Sequence, residues 1–118
     1  MRLLACIAKQ EVTLLVDNGS SHNFTNSIAL ERVGLHSEEE EPFVVRVANG
    51  ERLLCSKVPY GVKMIVQGVK VRANLHVLSL EGVDIVLGNA WLRSLGKVVH
   101  DYAKMTIEFQ LGGRQWTG

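Results

Sequence analysis

The sequence predicts a mostly β domain with one or two short helices, and three observations support this prediction. Short runs rich in valine and other β-branched residues recur along the 118 residues, and such side chains favour strands. Turn-forming pairs such as Gln67-Gly68 separate several of these runs. Only two segments combine helical spacing with residues that start and stop helices.

Nine runs fit a strand. In chain order they are residues 3–8, 12–16, 43–48, 52–56, 62–66, 69–78, 83–87, 98–102 and 105–110. The ends of two of them, Leu14-Leu15-Val16 and Ile85-Val86-Leu87, are apolar at every position. A strand without polar alternation is typically buried on both faces, so we expect these two at the centre of the fold.

The two predicted helices cover residues 26–33 and 89–95. Each begins at an asparagine, a favoured capping residue, and each is followed by a glycine, Gly34 or Gly96. In each half of the chain an apolar strand therefore leads through a glycine-containing segment to a short helix.

The bulk composition excludes several classes of partner. Thirteen basic side chains nearly balance twelve acidic ones, giving a net charge of +1, so we expect neither nucleic acid nor an anionic membrane surface as a partner. No apolar run approaches the ~18 residues needed to span a membrane. The acidic run at residues 38–41 is expected in a solvated loop.

The cysteines and the chain end give two further expectations. Cys6 and Cys55 lack metal-ligand spacing and are expected to be free thiols in a reducing compartment. We expect one folded domain over residues 1–111 and a flexible, glycine-containing tail over residues 112–118.

The stretch LLVDNGSSHNF at residues 14–24 raises the question of function. Asn18-Gly19 is a strong hairpin signal, but a hairpin needs a second alternating strand directly afterwards, and the residues that follow are polar and then helical. Asn49-Gly50, in contrast, has strand-like runs on both sides. The first pair therefore belongs to a different kind of loop.

That loop presents an aspartate, Asp17, at the end of a buried strand. Gly19 permits a sharp turn and a close approach by another chain. The hydroxyls of Ser20 and Ser21 are able to donate hydrogen bonds to a carboxylate. The pattern indicates a carboxylate held in place for chemistry.

LLVDNGSSHNF resembles the active-site loop of retroviral-type aspartic proteases, and most resembles that of gypsy-type LTR retrotransposons, especially plant ones. VDIVLGNAWLRSLG is similar to the second signature of that family, and HDYAKMTIEF to its terminal strands. The order and spacing match over roughly residues 2–110. The resemblance implies a retropepsin-like closed β-barrel, the acid protease fold.

The resemblance also implies roles for individual residues. Asp17 would be the catalytic residue, within an active-site loop that contains Asn18, Gly19, Ser20 and Ser21. A flap over residues 45–53 would close over a bound peptide, with Val47, Ala48, Asn49 and Gly50 at its tip. Val86, Leu87 and Gly88 would pack behind the catalytic loop.

An aspartic protease needs two active-site aspartates. This chain has three aspartates, but only Asp17 lies in a sequence that resembles the active-site loop. Asp84 and Asp101 both lack the following glycine of the active-site loop. Asp17 would therefore meet its own copy in a homodimer, with residues 105–109 as the expected pairing edge.

The predicted function is an aspartic endopeptidase that cleaves extended segments of a retroelement polyprotein, in the cytoplasm, without metal or cofactor.

One departure from the family pattern leaves an alternative open. Asn18 stands where the family normally has Ser or Thr, and its amide is longer and planar. The alternative is a catalytically weak or inactive dimerisation or peptide-binding module with the same fold. A structural β-barrel with an unrelated partner is a further alternative.

Other candidate residues have plain structural interpretations. His22 lies beside the proposed site but is expected to be a loop residue, since this chemistry needs no histidine. His36, His76 and His100 are scattered without zinc-type spacing. Trp91 is expected to anchor the second helix in the core.

Overall fold

The structure, a computed structural model, describes residues 1–46, 50–80 and 82–118. Strands dominate the described residues, and the predicted mostly β fold is confirmed. The strands are β1 (Arg2–Ile7), β2 (Gln10–Val16), β3 (Phe24–Asn26), β4 (Glu38–Arg46), β5 (Arg52–Val58), β6 (Val62–Val66), β7 (Val69–Ala73), β8 (His76–Leu78), β9 (Ile85–Leu87), β10 (Val98–Asp101), β11 (Thr106–Leu111) and β12 (Arg114–Thr117). The helices are α1 (Ser27–Val33) and α2 (Asn89–Leu92), and a 3₁₀ turn at Arg93–Leu95 follows α2.

Seven strands form one sheet in the order β7-β6-β1-β2-β9-β3-β8, which curls into a half-barrel. The apolar end of β2 and the apolar strand β9 lie side by side near its centre: the two pair in parallel, with Leu14 opposite Ile85 and Val16 opposite Leu87. These four side chains are at most 2% exposed. The expectation of two buried central strands is confirmed.

Two hydrophobic clusters stabilise this arrangement. The larger lies under the main sheet and includes Trp91, whose ring meets that of Phe109 edge to face at 5.6 Å. Trp91 is 5% exposed, so it is the predicted core anchor. The smaller cluster contains Val45 and Cys55 of the β4–β5 hairpin together with Phe24 of β3. It therefore packs the hairpin against the main sheet.

Both helices form where the sequence predicts them. The side chain of Asn26 caps α1 by accepting a hydrogen bond from the amide of Ile28 at 2.9 Å. Gly34 ends α1 in the left-handed conformation, with φ 71°. The second predicted helix is shorter than expected, because its last three residues tighten into the 3₁₀ turn.

The predicted strand at residues 69–78 is two strands. The strand is interrupted at Asn74, whose Oδ1 accepts a hydrogen bond from the amide of Gly61 at 2.8 Å. The amide of Leu75 then turns to the carbonyl of Pro59. This break lets β8 leave β7 and pair in parallel with β3, a short strand that the sequence did not predict.

The acidic run is in a strand and not in the loop that we expected. β4 begins at Glu38, and the side chains of Glu38, Glu39 and Glu41 are exposed. β4 pairs only with β5, in a two-stranded sheet. Its carboxylates can therefore face water without leaving the strand.

The expected flexible tail also differs from the structure. Residues 112–118 form a glycine turn followed by β12, which pairs with β11. Gly112 and Gly113 adopt φ 61° and 76°, so the chain folds back, and the partly buried Trp116 packs against the main core.

This hairpin corrects the expected pairing edge as well. β11 is the central strand of the sheet β10-β11-β12. Residues 105–109 are therefore not an open edge, because β10 and β12 pair with β11 on its two sides.

Candidate active site

Asp17 follows β2 directly, and the central sheet fixes its backbone. Its amide donates to the carbonyl of Leu87 at 3.0 Å, which continues the β2–β9 pairing by one residue. The amide of Gly19 donates to Asp17 Oδ1 at 2.8 Å. Asp17 is partly exposed, so one carboxylate oxygen is held by the loop while the group stays accessible.

The other two aspartates have structural partners. Asp84 Oδ2 accepts hydrogen bonds from the amide and hydroxyl of Thr13 and forms the ion pair with Arg32 at 3.0 Å. Burial alone would raise the pKa of Asp84, but these hydrogen bonds and the guanidinium hold it below its ordinary value. Asp101 accepts from the amide of Lys104 in a turn.

Unlike Asp84, Asp17 has no cationic partner within the described part of the chain. Over residues 1–46, 50–80 and 82–118, the ion pair found is that of Arg32 with Asp84. No cationic side chain in that part of the chain lies within 4.0 Å of the Asp17 carboxylate.

Val86, Leu87 and Gly88 lie next to the loop that contains Asp17. Val86 and Leu87 are buried, and Gly88 lies so close that a Cβ at this position would collide with the carbonyl oxygens of Ser20 and His22. This contact explains the glycine, whose φ of −100° is open to any residue. The loop and the start of α2 therefore pack backbone against backbone.

Two asparagines join the loop to α2. The amide nitrogen of Asn89 donates to the carbonyl of Asn18 at 2.9 Å, and the Asn89 backbone amide donates to the carbonyl of Ser20, also at 2.9 Å. The side chain of Asn23 accepts from the amides of Gly88 at 3.0 Å and Trp91 at 3.2 Å. Sequence reasoning missed Asn23, because its partners are more than sixty residues away.

The serine hydroxyls do not all act as expected. Ser20 is only 1% exposed, so its side chain is enclosed by the fold. Ser21 Oγ donates to the carbonyl of Arg46 at 3.3 Å and accepts from the Arg46 amide at 3.2 Å. Ser21 therefore ties the loop to the β4–β5 hairpin, and the carboxylate of Asp17 receives its hydrogen bond from Gly19.

The β4–β5 hairpin occupies the place of the predicted flap. Its last described pair is Arg46 opposite Arg52. Gly50 lies in a bend with φ 84°. Val47, Ala48 and Asn49 lie outside the described residues.

Asn18 has a partner that the sequence analysis did not identify. Its amide nitrogen, Nδ2, lies 3.0 Å from Nδ1 of His100 on β10. Asp17, Asn18 and His100 line one cavity of about 310 Å³, together with Tyr102 and Met105. Both of these last side chains are strongly exposed.

Beside the loop, two histidines pack against the hairpin. The rings of His22 and His76 meet edge to face at 4.8 Å, and His76 meets Phe43 at 5.1 Å. Burial, and then the charge of His22, lower the pKa of His76 to about 4. Burial and Arg93 lower the pKa of His22 as well.

Metal-type clusters and membrane-spanning helices are both absent from the described residues. In the described ranges, no group of three or more His, Cys, Asp or Glu side chains is placed to hold a metal ion. No helix in the same ranges is long and apolar enough to cross a membrane. Cys6 is exposed and Cys55 buried, and both are free thiols.

Comparison with known proteins identifies the class. Residues 4–113 match the family profile described as retroviral aspartyl protease. Since this match spans most of the chain, the chain belongs to the retroviral aspartyl protease family.

A solved structure shares the fold. The crystal structure of the retroviral protease-like domain of Ddi1 from Leishmania major aligns with a TM-score of 0.65 at 14% sequence identity. The alignment covers 98% of this chain and 89% of that one. Comparison with curated protein sequences gave no significant match.

Proposed function

We propose that this chain is an aspartic endopeptidase that works as a homodimer, with one Asp17 carboxyl from each subunit. Its substrates would be extended peptide segments. The observation that carries the proposal is the state of Asp17: a carboxylate at the end of the central strand, held by Gly19 and partly exposed. Asp84 is committed to Thr13 and Arg32, and Asp101 ends β10, at a turn outside the central sheet.

The chemistry follows from placing two such carboxyls about 3 Å apart, where both cannot ionise. The pair would share one proton at mildly acidic pH and titrate as a unit. The ionised carboxylate would take a proton from the attacking water. The protonated partner would donate toward the carbonyl oxygen of the scissile bond.

The contact between Ser21 and Arg46 supports a peptide-binding role for the cleft. It places the β4–β5 hairpin directly on the active-site loop. Beyond this contact, the end of the hairpin would close over an extended peptide, which would pair with backbone groups as a strand added to a sheet. Val47, Ala48, Asn49 and Gly50 would then form the flap tip.

The biological setting is proposed from the resemblance of the three sequence motifs. The substrate would be the polyprotein of a gypsy-type LTR retrotransposon, plant-like in sequence, and cleavage would take place in the cytoplasm. No cofactor, nucleic acid or membrane is part of this proposal.

The direct test is peptide cleavage by the purified domain at mildly acidic pH, using a pool of extended peptides. Asp17→Asn removes the titrating group with little change in shape and is expected to abolish cleavage. Glu11→Gln is the matched control, because it removes an exposed carboxylate at the other end of the same strand. It should retain wild-type cleavage.

Two results would overturn the proposal. Cleavage that survives in Asp17→Asn would show that another group, or a contaminant, performs the chemistry. A dimeric wild-type protein that cleaves nothing in the pool would favour the binding-module alternative, which the Asn18 departure first suggested.

A further inference from the structure

We propose that His100 is a positioning residue for the catalytic pair and that it acts through Asn18. This inference rests on the proposed homodimeric protease function. It concerns the one position at which the active-site loop departs from the hydroxyl residue of the proteases it resembles.

The hydrogen bond between the two side chains has a defined direction. Asn18 Nδ2 is 3.0 Å from His100 Nδ1, and an amide nitrogen can only donate. The imidazole must therefore accept at Nδ1 and carry its proton at Nε2. A second hydrogen bond, from Asn89 to the Asn18 carbonyl at 2.9 Å, fixes the backbone of the same residue.

This bond determines how the Asn18 amide is oriented. An asparagine has one donor end and one acceptor end, whereas a serine or threonine hydroxyl provides both functions at one atom. One N–H of Nδ2 points to His100, while Oδ1 and the second N–H have no hydrogen-bond partner within the described part of the chain. The loop therefore offers an acceptor, beside one remaining N–H, to a second subunit.

The imidazole itself is well held. β10 carries His100 opposite Ile107 of β11, and the ring stacks on Tyr102 with a centroid separation of 6.0 Å and an interplanar angle of 16°. The cavity that contains the bond is also lined by Asp17 and Asp101. A fixed ring can select one orientation of the amide next to the catalytic carboxyl.

The test is a double-mutant cycle on His100 and Asn18, with peptide cleavage at neutral pH, where an imidazole is able to accept at Nδ1, as the readout. His100→Ala should lower kcat about tenfold and leave KM within about twofold, since a small misplacement of a catalytic group is costly. Asn18→Thr replaces the two-ended amide by a hydroxyl. In that background, His100→Ala should change kcat by less than about twofold.

Two further variants separate positioning from folding. His100→Gln should recover most of the kcat, because its Oε1 can accept from Asn18 Nδ2. His36→Ala, at an exposed histidine away from the site, should leave kcat unchanged. Equal losses from His100→Ala in both backgrounds would contradict the inference and indicate a general structural role.

A second readout needs no activity and so separates this inference from the proposed function. In Asp17→Asn protein, nitrogen NMR should show His100 Nδ1 as an unprotonated acceptor. His100→Ala should shift the side-chain amide signals of Asn18. If the wild type does not cleave but these signals appear, the proposed function fails and the contact stands. A protonated Nδ1, or Asn18 signals unaffected by His100→Ala, would overturn the inference.

Discussion

Asp17 differs from the other two aspartates in what surrounds it. Asp84 accepts hydrogen bonds from Thr13 and pairs with Arg32 through Oδ2, and Asp101 accepts a hydrogen bond from Lys104 in a turn. Asp17 keeps one oxygen bonded to Gly19 and faces a cavity. At the scale of single residues, the proposed chemistry depends on a carboxyl that lies at the end of the central strand and has no cationic partner in the described part of the chain.

His76 leads to a prediction about acid stability. Its pKa is lowered from 6.5 to about 4, mainly by burial. Between these values the unfolded chain binds a proton that the folded chain does not, so stability falls as the pH decreases through this window. His76→Leu should lose less stability than wild type between pH 7 and about pH 4.5, as measured by urea denaturation.

His36→Leu is the control for this measurement, because His36 is exposed. It should show the same loss of stability as wild type. If His76→Leu loses as much stability as wild type over this range, the buried neutral state of His76 does not contribute to the acid sensitivity.

Among single residues, sequence predicts what lies in one loop and misses what lies across the fold. Asp17 stands out because it follows an apolar strand and precedes a glycine. His100 contacts Asn18 across 82 residues of sequence, and Asn23 binds the amide of Gly88 across 65. A side chain whose role depends on such a distant partner leaves no local pattern in the sequence.

Gly88 tests the packing of elements behind the loop. A Cβ on Gly88 would collide with two carbonyl oxygens of the loop, which cannot rotate away as a side chain could. Gly88→Ala should therefore lower the free energy of unfolding by about 1–3 kcal/mol and impair peptide cleavage. Thermal unfolding and the cleavage assay measure the two effects.

Gly34→Asn is the matched control at the end of the other helix. Gly34 has open space around it and a left-handed conformation that asparagine tolerates. We expect a change in stability of well under 1 kcal/mol, by analogy with other left-handed cap positions. If Gly88→Ala is as mild as this control, the close packing of loop and helix is not needed.

Strands and helices that depend on a short-range sequence pattern were predicted. Strands that form only because a distant strand pairs with them were not. The apolar strands β2 and β9 and the asparagine-capped α1 follow from short-range patterns. β3 has only three residues and exists because β8 and β9 pair with it. β12 forms because two glycines turn the chain back onto β11, which a glycine-rich sequence does not reveal.

At the scale of the whole molecule, one chain supplies one Asp17 carboxyl, and the proposed reaction needs two. The cavity beside Asp17 is lined by the exposed side chains Tyr102 and Met105. Such a surface next to an incomplete site is what an isologous dimer would cover. The β10-β11-β12 sheet adds the β12 edge that the sequence analysis did not anticipate.

Mixing subunits tests this central claim most directly. Wild-type protein is exchanged with an equal amount of Asp17→Asn protein, and cleavage is measured at constant total concentration. If each subunit provides one carboxyl, only wild-type homodimers are active, and activity should fall to about one quarter of that of wild type alone. An activity of about one half would show that each chain works independently, and would contradict the shared catalytic pair.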